Sequence, residues 1–254
     1  MRTQVLAAML ASSLSVTALG TEICNTSPIT INALGTATPY PSAITVSGAP
    51  AGIPRLVAVK INAFTHTDVR DVGMVLIAPS SQTLALQDGV GGGTVSNVTY
   101  TIADSGAAQL PASGGWTTGT YKPTAFFNSN YPPPGPGTGA GNPGPFGGGT
   151  ATFADTFVGQ PVNGNWNLVV ADFDGGNSGS IAGGWCLTLV MPQKGDLNLD
   201  GGSDLIFEQA SNPGHHEAWL MDGTTRLGGQ VALTPDAPPT LQLRGSDHLS
   251  LIHI

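Results

Sequence analysis

Two segments limit what this chain can fold into more than any others. In Gly164-Asn165-Trp166-Asn167-Leu168-Val169-Val170-Ala171-Asp172, the residues Trp166, Leu168 and Val170 alternate with Asn167, Val169 and Ala171. In Gly179 to Val190, the residues Trp185, Leu187 and Leu189 alternate with Cys186, Thr188 and Val190. A repeat of two is the side-chain period of a strand with one face in a core, and it does not suit a helix. A short acidic Gly/Asn loop joins the two strands. The expectation is an all-β fold.

Other runs extend the pattern. Pro28 to Ile31 and Ser42 to Val46 read as strands separated by Gly/Pro turns. Across Arg55 to Phe64, the alternation points Val57, Val59, Ile61 and Ala63 one way and Ala58, Lys60 and Asn62 the other. Gly73 to Ala78 is an apolar run closed by the turn Pro79-Ser80-Ser81, and Leu84 to Leu86 and Val98 to Ile102 are shorter strands. Thr138 to Gly149, preceded by three consecutive prolines, predicts a long surface loop with partial polyproline character. With 36 Gly, 20 Pro and 9% charged residues among 254, the composition favours short strands and turns over amphipathic helices. A hydrophobic content of 40% is enough for a core.

Charge and cysteine usage bound the partners. The net charge is −8, and no basic stripe exists to hold nucleic acid. Residues 1–20 read as a secretory signal peptide, with Arg2 in the n-region, Val5 to Leu19 as the apolar stretch, and Ala18-Leu19-Gly20 as the cleavage site. No other segment has transmembrane length, so the mature chain is expected to be secreted, at the cell surface or periplasmic, with no membrane span. Two cysteines, Cys24 and Cys186, point in an oxidising compartment to one disulfide that staples the ends of a single domain.

Several blocks occur in a telling order. His66-Thr67-Asp68-Val69-Arg70-Asp71-Val72-Gly73-Met74-Val75-Leu76-Ile77-Ala78-Pro79 is followed by Thr120-Tyr121-Lys122-Pro123 and by Phe153 to Phe157. The strands at Gly164 and Gly179 come last, and together these blocks resemble the P domain, or Homo B domain, of proprotein convertases over roughly residues 25–190. The resemblance implies a galactose-binding-like jelly-roll β-sandwich of about eight antiparallel strands, spanning residues 21–191, with Phe153 to Phe157 in a strand. It also implies a companion to subtilisin-like serine endopeptidases that carries no catalytic residues of its own.

After a linker at Met191-Pro192-Gln193-Lys194, a different unit covers residues 192–244. Its D-x-N-x-D-G-x-x-D loop (Asp196, Asn198, Asp200, Gly201, Asp204) and its Trp219-Leu220-Met221-Asp222-Gly223-Thr224-Thr225 block resemble FG-GAP/VCBS repeats. That implies part of a β-propeller-type repeat. An EF-hand starts alike but needs Glu at the twelfth loop position, which Phe207 occupies. Residues 245–254 begin a second repeat at Gly245 and then break the pattern at Leu249 to Ile254, as a truncated or artefactual end would.

Carboxylates are the residues best suited to chemistry. Asp196, Asn198, Asp200 and Asp204 can point oxygens into one tight turn, with a backbone carbonyl near Gly202 as a further donor, and calcium takes six to eight oxygens. A second calcium cluster gathers Asp71, Asp172, Asp174 and Asn177 where the strand ends meet, with Asp68 as an alternative to Asp71. Nucleophilic catalysis finds little support. Gly176-Asn177-Ser178-Gly179 resembles the G-D-S-G of trypsin-like proteases but has Asn for Asp and no matching His block. His66 reads as a structural histidine near a strand end. His215-His216 falls in a polar turn facing solvent, without zinc-ligand partners. The expectation is a secreted, non-catalytic module for binding, adhesion or stabilisation, with an extracellular protein or surface glycan as partner. The alternatives are an accessory P domain of a serine endopeptidase, active in proteolysis, and a carbohydrate-binding jelly roll.

Overall fold

A computed structural model describes residues 21–49, 55–157 and 159–190, together with strand segments at 205–208, 216–219, 221–222, 225–226, 231–233 and 251–253. Residues 1–20, read as a signal peptide, and Asp196, Asn198, Asp200, Gly202 and Asp204, read as a calcium loop, lie outside the described residues. The chain divides into two units, residues 20–191 and a second containing residues 192–254.

The first unit begins with strands β1 (Thr21–Asn25), β2 (Ile29–Ile31), β3 (Gly35–Thr36), β4 (Ser42–Val46) and β5 (Arg55–His66). Then come β6 (Val72–Ile77), β7 (Thr83–Asp88), β8 (Val95–Ala103), β9 (Ala108–Gln109), β10 (Thr120–Lys122) and β11 (Thr124–Ala125). A short helix, α1 (Phe153–Phe157), precedes β12 (Gly164–Asp172), β13 (Gly179–Ile181) and β14 (Trp185–Val190). These make an eight-stranded sheet along β1-β14-β5-β8-β10-β9, joined by β13 and β2, and a six-stranded sheet along β11-β7-β6-β12-β3, joined by β4. The architecture is all-β with two sheets. Strand direction is mixed rather than wholly antiparallel: β10 runs parallel to β8 and β9, and β11 parallel to β7.

Alternation explains the core. Val59, Ile61, Met74, Leu76, Leu84, Leu86, Tyr100, Ile102, Trp166, Leu168, Val170, Trp185, Leu187 and Leu189 are buried in one cluster fed by both sheets. Of the three indoles in it, Trp166 donates to the Val162 carbonyl and Trp185 to Ser42 Oγ, whereas the buried Trp116 Nε1 has no hydrogen-bond partner. The segment from Gly179 is two strands, not one. β13 pairs with β2 and β5, and the chain turns before β14 lies between β1 and β5.

Two expectations are corrected on the first unit's face directions and helix content. The alternation along β5 breaks at a bulge between Ile61 and Phe64, where Ala63 takes φ 54°. An extra residue in one strand reverses the facing of all that follow. Phe64 and His66 therefore turn into the core, and Ala63 does not. Phe153–Phe157 is a helix rather than a strand. Asp155 N–H donates to Thr152 Oγ1 at 3.0 Å while Thr152 Oγ1 donates back to Asp155 Oδ2 at 2.8 Å, a reciprocal N-terminal cap. Asp104 accepts from the N–H groups of Phe153 and Ala154, both at 2.9 Å. Phe153 and Phe157, four apart, then share one face and enter the core, where Phe157 meets Trp166 edge-on at 5.3 Å.

The segment 138–149 has no strand or α-helix, as its glycines and prolines dictate, but it is more than a surface loop. It bridges β7 at Gly141, where Ala85 N–H donates to the Gly141 carbonyl at 3.0 Å, and β11 at Pro145. Upstream, Tyr131 packs with Val75, Ala85, Ala125, Val169 and Ala171 into a second buried cluster on the other face of the six-stranded sheet. Both faces of β12 are thus covered near its end, which is why Val169 and Ala171 are as buried as their neighbours.

In the second unit, β15 (Leu205–Glu208), β16 (His216–Trp219), β17 (Met221–Asp222), β18 (Thr225–Arg226), β19 (Val231–Leu233) and β20 (Leu251–His253) are described. One four-stranded sheet runs β19-β16-β15-β20, and β17 and β18 form a hairpin. His216 is a strand residue and not part of a turn, pairing opposite Glu208 and Leu233. Leu251–His253 lies parallel to Ile206–Glu208, so part of the atypical C-terminal stretch takes a place in this sheet. Among the described residues no helix is long and apolar enough to cross a membrane.

Candidate functional site

The ends of β5 and β12 and the turns that follow them bring together most of the polar residues that the sequence singled out in the first unit. After the β5 bulge, His66 is fully buried. Its Nδ1 lies 2.6 Å from the Asp68 carbonyl, an atom that can only accept, so Nδ1 carries a proton. Its Nε2 lies 3.0 Å from Oδ2 of Asp172, itself 1% exposed at the end of β12. Neither of these two atoms has a well-directed hydrogen bond, although they face one another. Two lone pairs so close would repel, so one proton must lie between the imidazole and the carboxylate.

Around this pair, the chain folds in two short turns. Asp68 caps the 3-10 turn Val69–Asp71, its Oδ1 accepting from Arg70 N–H at 3.2 Å and Gly93 N–H at 3.0 Å. Asp172 Oδ1 accepts from Asp174 N–H at 3.0 Å, and the Asp71 carbonyl accepts from Phe173 N–H at 2.8 Å. Asn177 closes the ring. Its Nδ2 donates to Asp71 Oδ2 at 3.0 Å, and its Oδ1 accepts from Thr67 Oγ1 at 3.1 Å. Asp71, Asp172, Asp174 and Asn177 therefore meet at one end of the sheets, with Asp68 beside them.

The electrostatics show the cost of that meeting. Burial raises the Asp71 carboxyl above its usual range, the Asn177 hydrogen bond lowers it, and the charges of Asp68, Asp172 and Asp174 raise it again. Burial also raises Asp172, against the lowering effect of the Asp174 N–H and of His66. Like charges thus oppose full ionisation here, and a bound cation would relieve them. Among the described residues, however, no three carboxylates or imidazoles at this end converge within 4.8 Å, so the donors are neighbours without being a closed coordination shell.

Ser178 borders the same turn. Its backbone exchanges bonds with Thr67, Thr67 N–H donating to the Ser178 carbonyl and Ser178 N–H to Thr67 Oγ1. His66 Nδ1 lies against the Asp68 carbonyl and Nε2 faces Asp172 Oδ2, and no hydrogen bond joins either nitrogen to the Ser178 hydroxyl.

Two groupings escaped sequence reading. Asp88, 2% exposed, accepts from Ser129 N–H at 2.8 Å and Ser129 Oγ at 2.7 Å, and burial raises its carboxyl despite these bonds. It pins the 126–150 segment and has no signal in the local pattern. The second grouping surrounds the disulfide. Cys24 and Cys186 are bonded, as expected, and stand opposite one another on β1 and β14. Together with Glu22 they place one carboxylate oxygen and two sulfurs within 4.8 Å of one another. The donor set is of a metal-binding kind, but bonded sulfurs are not thiolates and coordinate poorly.

No protein-family model matches the chain, and neither a curated protein nor a solved structure is detectably similar to it.

Proposed function

We propose that the chain is a secreted, non-catalytic β-sandwich module for binding or adhesion, stabilised by calcium at its acidic end. The observation that carries this reading is the convergence of Asp71, Asp172, Asp174 and Asn177 on two short turns, with burial first and then repulsion among the carboxylates raising Asp71. A hard divalent cation is the ligand whose charge and oxygen preference fit that set. The loop of Asp196, Asn198, Asp200, Gly202 and Asp204 would supply a second calcium in the 192–244 repeat. The extracellular setting is supported by the signal-like residues 1–20 and by the Cys24–Cys186 bond, since disulfides persist in oxidising compartments.

The P-domain resemblance favours a closely related second reading, an accessory domain bracing a subtilisin-like serine endopeptidase. On that reading too, proteolysis would belong to a partner domain. A carbohydrate-binding role is less well served. A cavity of about 120 Å³ beside β10 is lined by Asp104, Gln109, Lys122, Thr152 and prolines, without an aromatic ring for a sugar to stack on.

Thermal unfolding with and without calcium tests the proposal. For extracellular sites of roughly 10⁻⁴ M affinity, calcium at about a hundredfold excess over Kd adds about 2.7 kcal/mol. That raises the midpoint of a unit this size by about 5–10 °C. The gain should survive Asp200→Ala and shrink in an Asp71→Asn, Asp174→Asn variant. No calcium-dependent rise in either background would exclude the acidic end as a cation site.

A further inference from the structure

We propose that the Cys24–Cys186 disulfide is the closed state of a reducible metal site, in which Glu22, Cys24 and Cys186 hold one zinc-like divalent ion once the bond is opened. Register places the three donors. Cys24 on β1 lies opposite Cys186 on β14, and Glu22, two residues before Cys24, projects from the same face of its strand. Their ligand atoms lie within 4.8 Å of one another. A tetrahedral ion with metal–sulfur bonds of about 2.3 Å needs donors about 3–4 Å apart, within reach of small side-chain rotations.

Access and chemistry agree with this assignment. Cys24 is exposed at the sheet surface, so a reductant reaches its sulfur, whereas Cys186 is buried beneath it. A dithiol, small-molecule or protein-borne, supplies two electrons and two protons. The S–S bond breaks, two thiols form, and the dithiol becomes its own disulfide. The ion then displaces two protons to leave two thiolates and the Glu22 carboxylate as ligands. Thiolates select zinc or cadmium over calcium. Three protein donors leave the fourth tetrahedral position to water.

Two neighbours tune the site. Asn62 Nδ2 approaches Cys186 Sγ at 3.5 Å and can donate to a thiolate there. Lys60 Nζ pairs with Glu22 Oε1 at 3.2 Å and competes with the metal for that carboxylate. In the oxidised chain Lys60 satisfies Glu22 and no thiolate exists. The site is therefore gated by redox state: a small-molecule or protein disulfide that takes two electrons from the thiolates, and is itself reduced to a dithiol, re-forms the Cys24–Cys186 bond and releases the ion.

Cadmium titration of the full chain tests this, because cadmium–thiolate charge transfer absorbs in the ultraviolet and reports sulfur ligation directly. The probe is Cd²⁺ alone, added to protein either oxidised or reduced with a phosphine, which leaves no competing thiol. The expected result is one equivalent of thiolate absorbance in the reduced chain and none in the oxidised chain. Glu22→Gln should keep the band and weaken binding at least about tenfold, a loss that even outer-shell changes produce. Lys60→Met should tighten binding. Near-ultraviolet circular dichroism of the buried Trp166 and Trp185 monitors the fold throughout. Absence of a stoichiometric band in folded reduced protein would overturn the proposal, as would unchanged affinity in Glu22→Gln. Loss of the tryptophan signal on reduction would overturn it equally, because the site exists only while β1 lies against β14.

Discussion

Asp104 offers a sharp test of how this sandwich holds the short helix α1. Its two carboxylate oxygens each accept one backbone N–H of α1, from Phe153 and Ala154, both at 2.9 Å. These donors belong to the first turn, where no carbonyl of the helix can satisfy them. Hydrogen bonds to a charged acceptor contribute about 1.5–3 kcal/mol each, but Asp104 borders an open cavity, so water can replace part of what is lost. Asp104→Ala should therefore destabilise the first unit by about 2–3 kcal/mol, and Asp104→Asn, which keeps one acceptor, by about half as much. At about 2–4 °C per kcal/mol for a unit of this size, the Ala variant should melt about 4–12 °C lower. Urea unfolding followed by tryptophan fluorescence gives the free energies, since Trp166 senses the helix through Phe157. Calcium affinity should not change. A loss in Asp104→Ala below about 0.5 kcal/mol, the range of ordinary surface substitutions, would refute the capping argument. So would an Asn variant less stable than the Ala variant.

Other consequences are as direct. Because the Asp71 carboxyl is raised above its usual 3.8 by burial and by neighbouring carboxylates, the folded state holds its proton more tightly than the unfolded state. The stability this group contributes is present below pH 3.8 and is lost as pH rises through the folded value. In calcium-free buffer Asp71→Asn should accordingly stabilise the chain at pH 7, and the advantage should vanish on acidification; urea midpoints across pH measure it. A Cβ at Gly73 would overlap the Tyr131 hydroxyl and the Phe173 ring, so Gly73→Ala should cost about 1–3 kcal/mol. Faster hydrogen exchange at Tyr131 and Phe173 would locate that strain, and a neutral effect on stability would contradict it.

Sequence alone reached the strands whose two-residue period is unbroken. Ser42–Val46 and Gly164–Asp172 were legible to the residue, because each has Trp or β-branched side chains on one face. The disulfide was legible because only one pairing exists. Along β5, the bulge at Ala63 has no local signature, and it alone decides that His66 faces inward to Asp172. The acidic end could be guessed from the crowding of Asp and Asn in turns, whereas the histidine behind it could not. For α1 a signal was present in Thr152-x-x-Asp155, with Phe153 and Phe157 at helical spacing, but the strand expected from the P-domain resemblance overrode it. The cover over β12 depends on Tyr131 and the long Gly/Pro segment, where no period exists to read.

The central claim, that calcium binds where β5 and β12 end, is met most directly by amide chemical shifts of labelled protein during a calcium titration. Signals of Asp71, Phe173, Asp174, Gly175 and Asn177 report on that end, and repeating the titration in Asp200→Ala separates them from binding in the Asp196 to Asp204 loop. The account predicts saturable shifts at these amides with a midpoint of roughly 10⁻⁴–10⁻³ M. Amides there that stay unmoved at about tenfold higher calcium would contradict it.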